Sequence, residues 1–405
     1  MEPKIRYNGY TNKWDDVCLN DIVSTAGIKN RENLPLVSFS ITNDQGFVPQ
    51  DDKFENGGTM RDANKSMYYI VSPKTFAYNP ARINVGSIGY YDLEKDVIIS
   101  SLYVVFKTDQ EKCDDYYFLQ WFKSDKFKRL IEQYQEGGVR LYFFYDKLCK
   151  CHVHIPSKEE QHKISSYFRV LDFKLQASAK KLESLKKLKS ASLVAMFPQN
   201  GESMPKVRFK GFEGEWRRIK FGTISSRITR RNNTLECKLP LTISANEGLI
   251  SQEKFFKNIV ASSNLGNYYL LKRGEFAYNK SYSNGYPFGA IKRLDKYDSG
   301  VLSPLYICFG IHDEVDSDYI CFFFETTLWH KDVAERATEG ARNHGILNIG
   351  TEDFFDIDIM IPESKEEQQA IAAYFRSLDR KIALETARLE KLKQIKLACL
   401  YKMFV

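Results

Sequence analysis

The chain has 405 residues and a formal net charge of +7; 43% of its residues are hydrophobic and 14% are aromatic. This length allows two or three domains with large cores, and no run of 18 apolar residues is present, which excludes a membrane-spanning helix. No apolar segment follows the first residues as it would in a secretory signal, and eight scattered cysteines are typical of a reducing cytoplasm, where we expect the protein.

Residues 1–156 are predicted to form a first globular domain of mixed secondary structure. Val97–Phe106 is rich in β-branched and aromatic residues and predicts a strand. Tyr116–Ile131 has the apolar spacing of an amphipathic helix, and Val153–Ile155 predicts a short final strand. We therefore expect a substantial, irregular and mostly antiparallel sheet with helices.

Residues 157–197 are predicted to form one long helix. Pro156 precedes Ser157, which can cap the helix, and two glutamates follow in the first turn, where the helix dipole favours carboxylates. No Gly or Pro interrupts the stretch, so about 40 residues would span roughly 60 Å. Such a helix is too long for a small core to cover. Pro198 stops it, and residues 198–204 are predicted to be a linker.

The second half of the chain repeats the first. Residues 205–362 predict a second globular domain and residues 363–405 a second long helix, which begins with nearly the same sequence as the first. Leu302–Phe309 and Ile357–Ile361 are predicted strands, and Tyr319–Glu335 is a predicted helix. The matching stretches are Ile155–Gln161 with Ile361–Gln368, Tyr167-Phe168 with Tyr374-Phe375, Leu171-Asp172 with Leu378-Asp379, Pro3–Trp14 with Pro205–Trp216, and Phe76–Asn79 with Phe276–Asn279.

Apolar residues recur at spacings of three and four along both helices and predict a continuous seam. The other helix is the obvious partner for a seam of this length. The helices also carry the basic excess, about +5 and +4, whereas the remaining chain is about −2. A solvated helix face explains that charge as well as a binding surface does. The seam residues are Ile164, Phe168, Leu171, Leu175 and Leu182 in the first helix and Ile371, Phe375, Leu378, Ile382, Leu389 and Leu392 in the second.

Motifs for catalysis and metal binding are weak. The cluster Cys149–His154 holds two cysteines and two histidines, but strand alternation would place the cysteines on one face and the histidines on the other. No phosphate-binding loop, dinucleotide fingerprint or nucleophile elbow is present. We therefore predict no metal site and no catalytic residue in this chain.

Several polar loops have residue types that suit nucleic-acid contacts. Arginine pairs with guanine and asparagine with adenine, while lysine and backbone amides hold phosphates. For any single residue, a polar surface loop without DNA contact is an equally good interpretation. The candidate DNA-binding residues are Arg61, Asn64, Lys65 and Arg140 in the first half and Arg227, Arg230, Arg231, Lys280, Arg342 and Asn343 in the second.

The doubled Ile-Pro helix starts, the doubled aromatic N-terminal segments and the order globular–helix–globular–helix resemble the specificity subunit of a type I restriction–modification system. The resemblance covers essentially the whole chain. It implies an α+β fold with two homologous target recognition domains, each binding one half of a bipartite DNA sequence. The two long helices would pair antiparallel as a coiled-coil-like spacer in a pseudo-two-fold arrangement, with Pro3–Trp14 packing beside the second helix.

The resemblance also implies partners and cofactors. The chain would catalyse nothing and bind no cofactor itself, while two methyltransferase subunits with S-adenosylmethionine dock on it and methylate an adenine in each half-site of double-stranded DNA. Two motor-nuclease subunits, using ATP and Mg²⁺, would complete the restriction complex. Two alternatives are a non-catalytic scaffold or inhibitor-like protein that reads no DNA, and an enzyme in its own right, which the missing motifs disfavour.

Overall fold

The structure is a computed structural model that describes residues 2–50, 64–138, 141–199, 201–244, 247–255, 265–281, 285–337 and 349–404. The chain divides into two compact units. Unit 1 comprises Met1–Lys180 with Thr386–Val405, and unit 2 comprises Lys181–Glu385. The long helices α4 (Lys158–Ala195) and α9 (Lys365–Met403) each contribute to both units.

Unit 1 contains a four-stranded sheet in the order β2-β10-β7-β8 and a five-stranded sheet in the order β3-β6-β9-β4-β5. All their pairings are antiparallel except β4 with β9. A two-stranded sheet, β1-β11, leads into α4. The strands are β1 Asp15–Cys18, β2 Val23–Thr25, β3 Ile28–Lys29, β4 Ser38–Thr42, β5 Gly46–Pro49, β6 Tyr69–Val71, β7 Thr75–Tyr78, β8 Ile88–Tyr91, β9 Val97–Ile99, β10 Val104–Thr108 and β11 His152–Ile155; the shorter helices are α1 Asp115–Trp121, α2 Asp125–Tyr134 and α3 Tyr145–Cys149.

Unit 2 repeats the four-stranded sheet in the order β13-β20-β17-β18 and the two-stranded sheet β12-β21. Its further strands form the pairs β14-β15 and β16-β19, which a parallel bridge between Pro240 and Val301 connects at the position where β4 pairs with β9 in unit 1. The strands are β12 Arg217–Lys220, β13 Ser225–Arg227, β14 Leu241–Ser244, β15 Gly248–Ser251, β16 Tyr269–Lys272, β17 Phe276–Asn279, β18 Ala290–Arg293, β19 Ser299–Leu302, β20 Ile307–Ile311 and β21 Asp358–Ile361; the shorter helices are α5 Gln252–Phe255, α6 Ser317–Phe323, α7 His330–Arg336 and α8 Thr351–Phe355.

The predicted mixed α/β domains and their mostly antiparallel pairing are confirmed, but the strands are divided among several sheets, because the long predicted strands are interrupted. Val97–Phe106 splits into β9 and β10 at a turn in which the Tyr103 amide donates to the Ser100 carbonyl at 3.2 Å. Leu102 at this turn is 78% exposed. The turn moves the chain from the five-stranded to the four-stranded sheet, which the hydrophobicity of the segment does not show.

The same interruption occurs in unit 2, where Leu302–Phe309 splits into β19 and β20. The Tyr306 amide donates to the Ser303 carbonyl at 3.1 Å, and Pro304 between them has no amide hydrogen for a ladder. The predicted helix Tyr116–Ile131 likewise becomes α1 and α2, and its counterpart in unit 2 becomes α6 and α7.

Each unit has an aromatic core that joins its globular part to both long helices. In unit 1 the cluster around Trp14 and Tyr117 includes Phe168 of α4 and Leu400 of α9. In unit 2 the corresponding cluster around Trp216 includes Phe197, which follows α4, and Phe375 of α9. Among the described residues, no helix is long and apolar enough to cross a membrane.

Candidate nucleic-acid interface and helix junctions

The first residues of α4 explain why their sequence occurs twice. The Ser157 hydroxyl accepts from the Glu160 amide at 3.4 Å and caps the helix. The Glu160 carboxylate, whose side chain is 1% exposed, accepts two hydrogen bonds of 2.8 Å from Arg6. The Gln161 side chain accepts from the Asp114 amide at 2.9 Å. The motif therefore ties the helix start to the N-terminal segment and to the loop before α1.

α9 begins with the same contacts in unit 2. Ser364 caps the Glu367 amide at 3.2 Å, and Arg208 donates to both oxygens of Glu367 at 2.7 Å. The Gln368 side chain accepts from the Asp316 amide at 2.9 Å. One set of residue types thus makes one set of bonds at both helix starts.

Antiparallel contacts between α4 and α9 are also duplicated, once inside each unit. In unit 1, Lys396 of α9 contacts Asp172 of α4 at 2.5 Å. In unit 2, Lys189 of α4 contacts Asp379 of α9 at 2.6 Å. In both units the beginning of one helix lies beside the end of the other, which confirms the predicted pairing of the long helices.

The predicted seam residues fall into two groups. Six residues near the helix starts are buried, and the more central ones are half-buried. The buried residues pack against the globular part of their own unit as well as the other helix. The buried residues are Ile164, Phe168, Leu171, Ile371, Phe375 and Leu378, and the half-buried ones are Leu175, Leu182, Ile382, Leu389 and Leu392.

The N-terminal segment lies beside the end of α9, as the resemblance implies. The Ile5 amide donates to the Lys402 carbonyl at 3.0 Å. In unit 2 the Val207 amide donates to the Ala195 carbonyl at 2.9 Å, which is the equivalent bond. These contacts, with Arg6 and Arg208, were not assigned by sequence reasoning, although both arginines lie in the repeated N-terminal segments.

Two candidate DNA-binding residues of unit 1 lie in the described part of the chain. Asn64 is exposed, and its side-chain oxygen accepts from the Ser66 amide at 2.8 Å in a local turn. Lys65 is half-buried and donates to the Ser38 hydroxyl at 2.9 Å. Arg61 and Arg140 lie outside the described residues.

Three arginines of unit 2 differ in how strongly the protein holds them. Arg227 ends β13 and is exposed, with no side-chain hydrogen bond or ion pair to any residue that the structure describes. Arg230 donates to Glu275 at 2.7 Å. Arg231 donates to the Asn267 carbonyl and lies 4.7 Å from the centre of the Tyr269 ring. Arg227 is therefore the least constrained of the three.

Lys280 is half-buried and donates to the Ile349 carbonyl at 3.2 Å. Burial lowers the pKa of its ammonium. The other two candidates of this half, Arg342 and Asn343, lie outside the described residues.

The cysteine and histidine cluster is divided between a helix and a strand. Cys149 ends α3 instead of lying on the predicted strand face, because the strand begins at His152. Burial raises the pKa of the Cys151 thiol to about 12, and His152 faces Asp16 at 3.3 Å. Within the described ranges, no group of three or more metal-ligating side chains converges.

Comparison with protein families gives a match to the type I restriction modification DNA specificity domain over residues 12–187 and 307–394. These two stretches cover more than half of the chain and include most of each long helix. The chain belongs to this family. It is therefore a specificity component of a type I restriction–modification system, which places it apart from the catalytic subunits.

Two solved structures show that this specificity-subunit fold extends over the whole chain. The crystal structure of a type I S subunit from M. genitalium has a TM-score of 0.60 at 16% identity, covering 100% of this chain and 99% of that one. A chain from a study of complex assembly and conformational transition in the type I R-M system has a TM-score of 0.51 at 13% identity, covering 96% and 97%. Comparison with curated proteins finds no match.

Proposed function

We propose that this chain reads a bipartite double-stranded DNA target, one half with each globular region. Residues 1–156 and 205–362 would be the target recognition domains, and residues 157–197 and 363–405 the helices that fix the spacing between the half-sites. Residues 198–204 would link the halves. The observation that carries the proposal is the duplicated set of helix junctions around two globular regions that differ elsewhere.

The two globular regions keep one scaffold and vary what is built on it. Both have a four-stranded sheet of the same connectivity and a second set of paired strands in the same order, whereas the loops between the matching strands differ in sequence. Two different surfaces on equivalent supports are what two unequal half-sites require, because sequence is recognised by side chains placed against base edges.

The arginines of unit 2 support DNA contact chemically. Arg227 offers an exposed guanidinium whose donors bond to no described residue, and Arg231 lies over Tyr269. A guanidinium stacked on a ring is preorganised and can still donate to a phosphate or a guanine edge. Asn64, Lys65 and the other candidate residues stay predictions of the same kind.

The chain's partners would supply the chemistry. Two methyltransferase subunits carrying S-adenosylmethionine would dock on it, and two motor-nuclease subunits using ATP and Mg²⁺ would join them. The chain's own residues would position these subunits over the DNA and choose the sequence.

The proposal is tested by the binding of duplex DNA to the full chain with its cognate methyltransferase subunit. We expect sequence-selective binding whose affinity falls steeply with salt, and methylation only when the methyltransferase subunit is present. Assembly without any sequence preference would instead favour a scaffold, and methylation by the isolated chain would make it an enzyme in its own right.

A further inference from the structure

A groove of about 820 Å³ in unit 1 is lined by four lysines. It lies where α2 and the short turn Ile83–Val85 face the last turns of α9. Two aspartates also line it, Asp44 and Asp125, so its lining carries a net charge of about +2. We call it the lysine groove; its lysines are Lys123, Lys128, Lys393 and Lys396.

Most of this positive charge has no ion-pair partner among the described residues. Lys396 is paired with Asp172, whereas the ammonium groups of Lys123, Lys128 and Lys393 make no ion pair or hydrogen bond with any residue that the structure describes. The residue Lys123 is exposed along the groove. Its ammonium group nevertheless loses part of its hydration to the surrounding protein. Desolvation and the neighbouring Lys396 together lower its pKa to about 8.

The equivalent position in unit 2 carries the opposite charge. Lys396 corresponds to Lys189 in the repeat, and Lys123 corresponds to Glu325. Lys189 lies between two carboxylates, 2.6 Å from Asp379 and 2.7 Å from Glu325. At this repeat position, Lys189 of unit 2 is therefore paired with two carboxylates. Lys396 of unit 1 is paired with one carboxylate and also lies near the ammonium of Lys123.

Two further differences separate the grooves. Lys128 is replaced by His330, whose pKa is lowered by burial. Leu397 is replaced by Ser190. The groove of unit 2 is also smaller, about 350 Å³. Among the described residues, the lining of the unit 2 groove holds Lys189, Lys292 and Glu325, so its net charge of about +1 is smaller than that of the lysine groove.

The lysine groove has an exposed apolar wall beside its charges. Leu397 is 67% exposed and Val85 is 55% exposed, and both line the groove. A DNA backbone offers phosphates but no apolar surface, whereas an acidic amphipathic protein segment would cover both kinds of side chain. We propose that the lysine groove binds an acidic, amphipathic segment of a methyltransferase subunit and that unit 2 has no equivalent site.

This inference rests on the proposed function, since it needs a methyltransferase partner. It adds that the two copies dock unequally. The copy at unit 1 gains ionic contacts that salt screens, and the copy at unit 2 does not. One binding step should therefore be tighter and more salt-dependent than the other.

The test uses the full chain, its cognate methyltransferase subunit and sedimentation velocity at about 0.15 M and 0.5 M salt. Lys123→Glu places a carboxylate where unit 2 has Glu325, so the variant should fold. It should weaken the binding of one methyltransferase copy on the order of tenfold at the lower salt and leave the other unchanged. The matched control is Lys186→Glu, the repeat equivalent of Lys393, which should leave both copies unchanged.

The outcomes separate this inference from the proposed function. If the unaltered chain binds no methyltransferase subunit, the proposed function fails and the inference fails with it. If it binds two copies and Lys123→Glu binds them equally well, only the lysine groove is overturned. A variant that binds the methyltransferase normally but loses affinity for random-sequence duplex DNA would make the groove a phosphate site and would also overturn the inference.

Discussion

The ion pair between Arg208 and Glu367 gives a sharp prediction about what holds a long helix to its globular region. The Glu367 side chain is 2% exposed and both its oxygens accept from Arg208 at 2.7 Å. Arg208→Met leaves this carboxylate buried without its cation. Breaking a buried pair in this way costs about 3–5 kcal/mol, so we expect the free energy of unfolding of unit 2 to fall by that amount.

The measurement is urea unfolding of the full chain, combined with amide hydrogen exchange over residues 365–375. A double variant, Arg208→Met with Glu367→Met, removes both charges and should recover most of the loss. The control is Lys187→Met, whose pair with Glu183 has side chains 77% and 63% exposed and should cost less than about 0.5 kcal/mol. The explanation would be refuted if Arg208→Met cost no more than the control, or if the double variant were no more stable than the single one.

Three other predictions concern DNA recognition. If Arg227 reads a base, Arg227→Ala should cost about 1–3 kcal/mol in DNA binding and reduce the sequence specificity at one target position. If Arg227 contacts phosphate, the variant should lower affinity evenly across sequences. Unchanged affinity and specificity would show that the side chain only faces solvent. Arg230→Ala and Arg231→Ala should weaken DNA binding while the protein stays folded by circular dichroism, because the partly exposed pair of Arg230 is worth less than about 1 kcal/mol; unaltered binding by both would remove this loop from the interface. Inserting four residues after Lys180 adds roughly 6 Å of helix, and one base step of DNA is about 3.4 Å. Methylation mapping should therefore find a spacer between the half-sites that is longer by one or two base pairs. An active variant with the original spacer would contradict the idea that the helices fix the spacer length.

The two long helices and the internal repeat could be predicted from the sequence, because residues that make the same contact in both units recur with the same spacing. Ser157 and Gln161 cap and anchor α4 as Ser364 and Gln368 do for α9. A sequence motif that recurs with fixed spacing, uninterrupted by Gly or Pro, therefore identifies both helices and their partnership.

The remaining features depend on tertiary contacts that leave little mark on the sequence. The turn after Ser100 separates two strands that are equally hydrophobic, so the segment looked continuous. Lys123 looks like an ordinary surface lysine until its repeat equivalent, Glu325, is seen paired with Lys189. The loop arginines are a residue type that suits DNA contact, but their sequence did not show that Glu275 holds Arg230.

The most direct test of the central claim is an exchange of one globular region followed by methylation mapping. Residues 1–150 are replaced by the same segment of another family member, and single-molecule sequencing reads the methylated motif in cells carrying the intact system. We expect one half of the motif to change while the other half stays the same. A motif altered in both halves, or in neither, would contradict the claim that each globular region reads its own half-site.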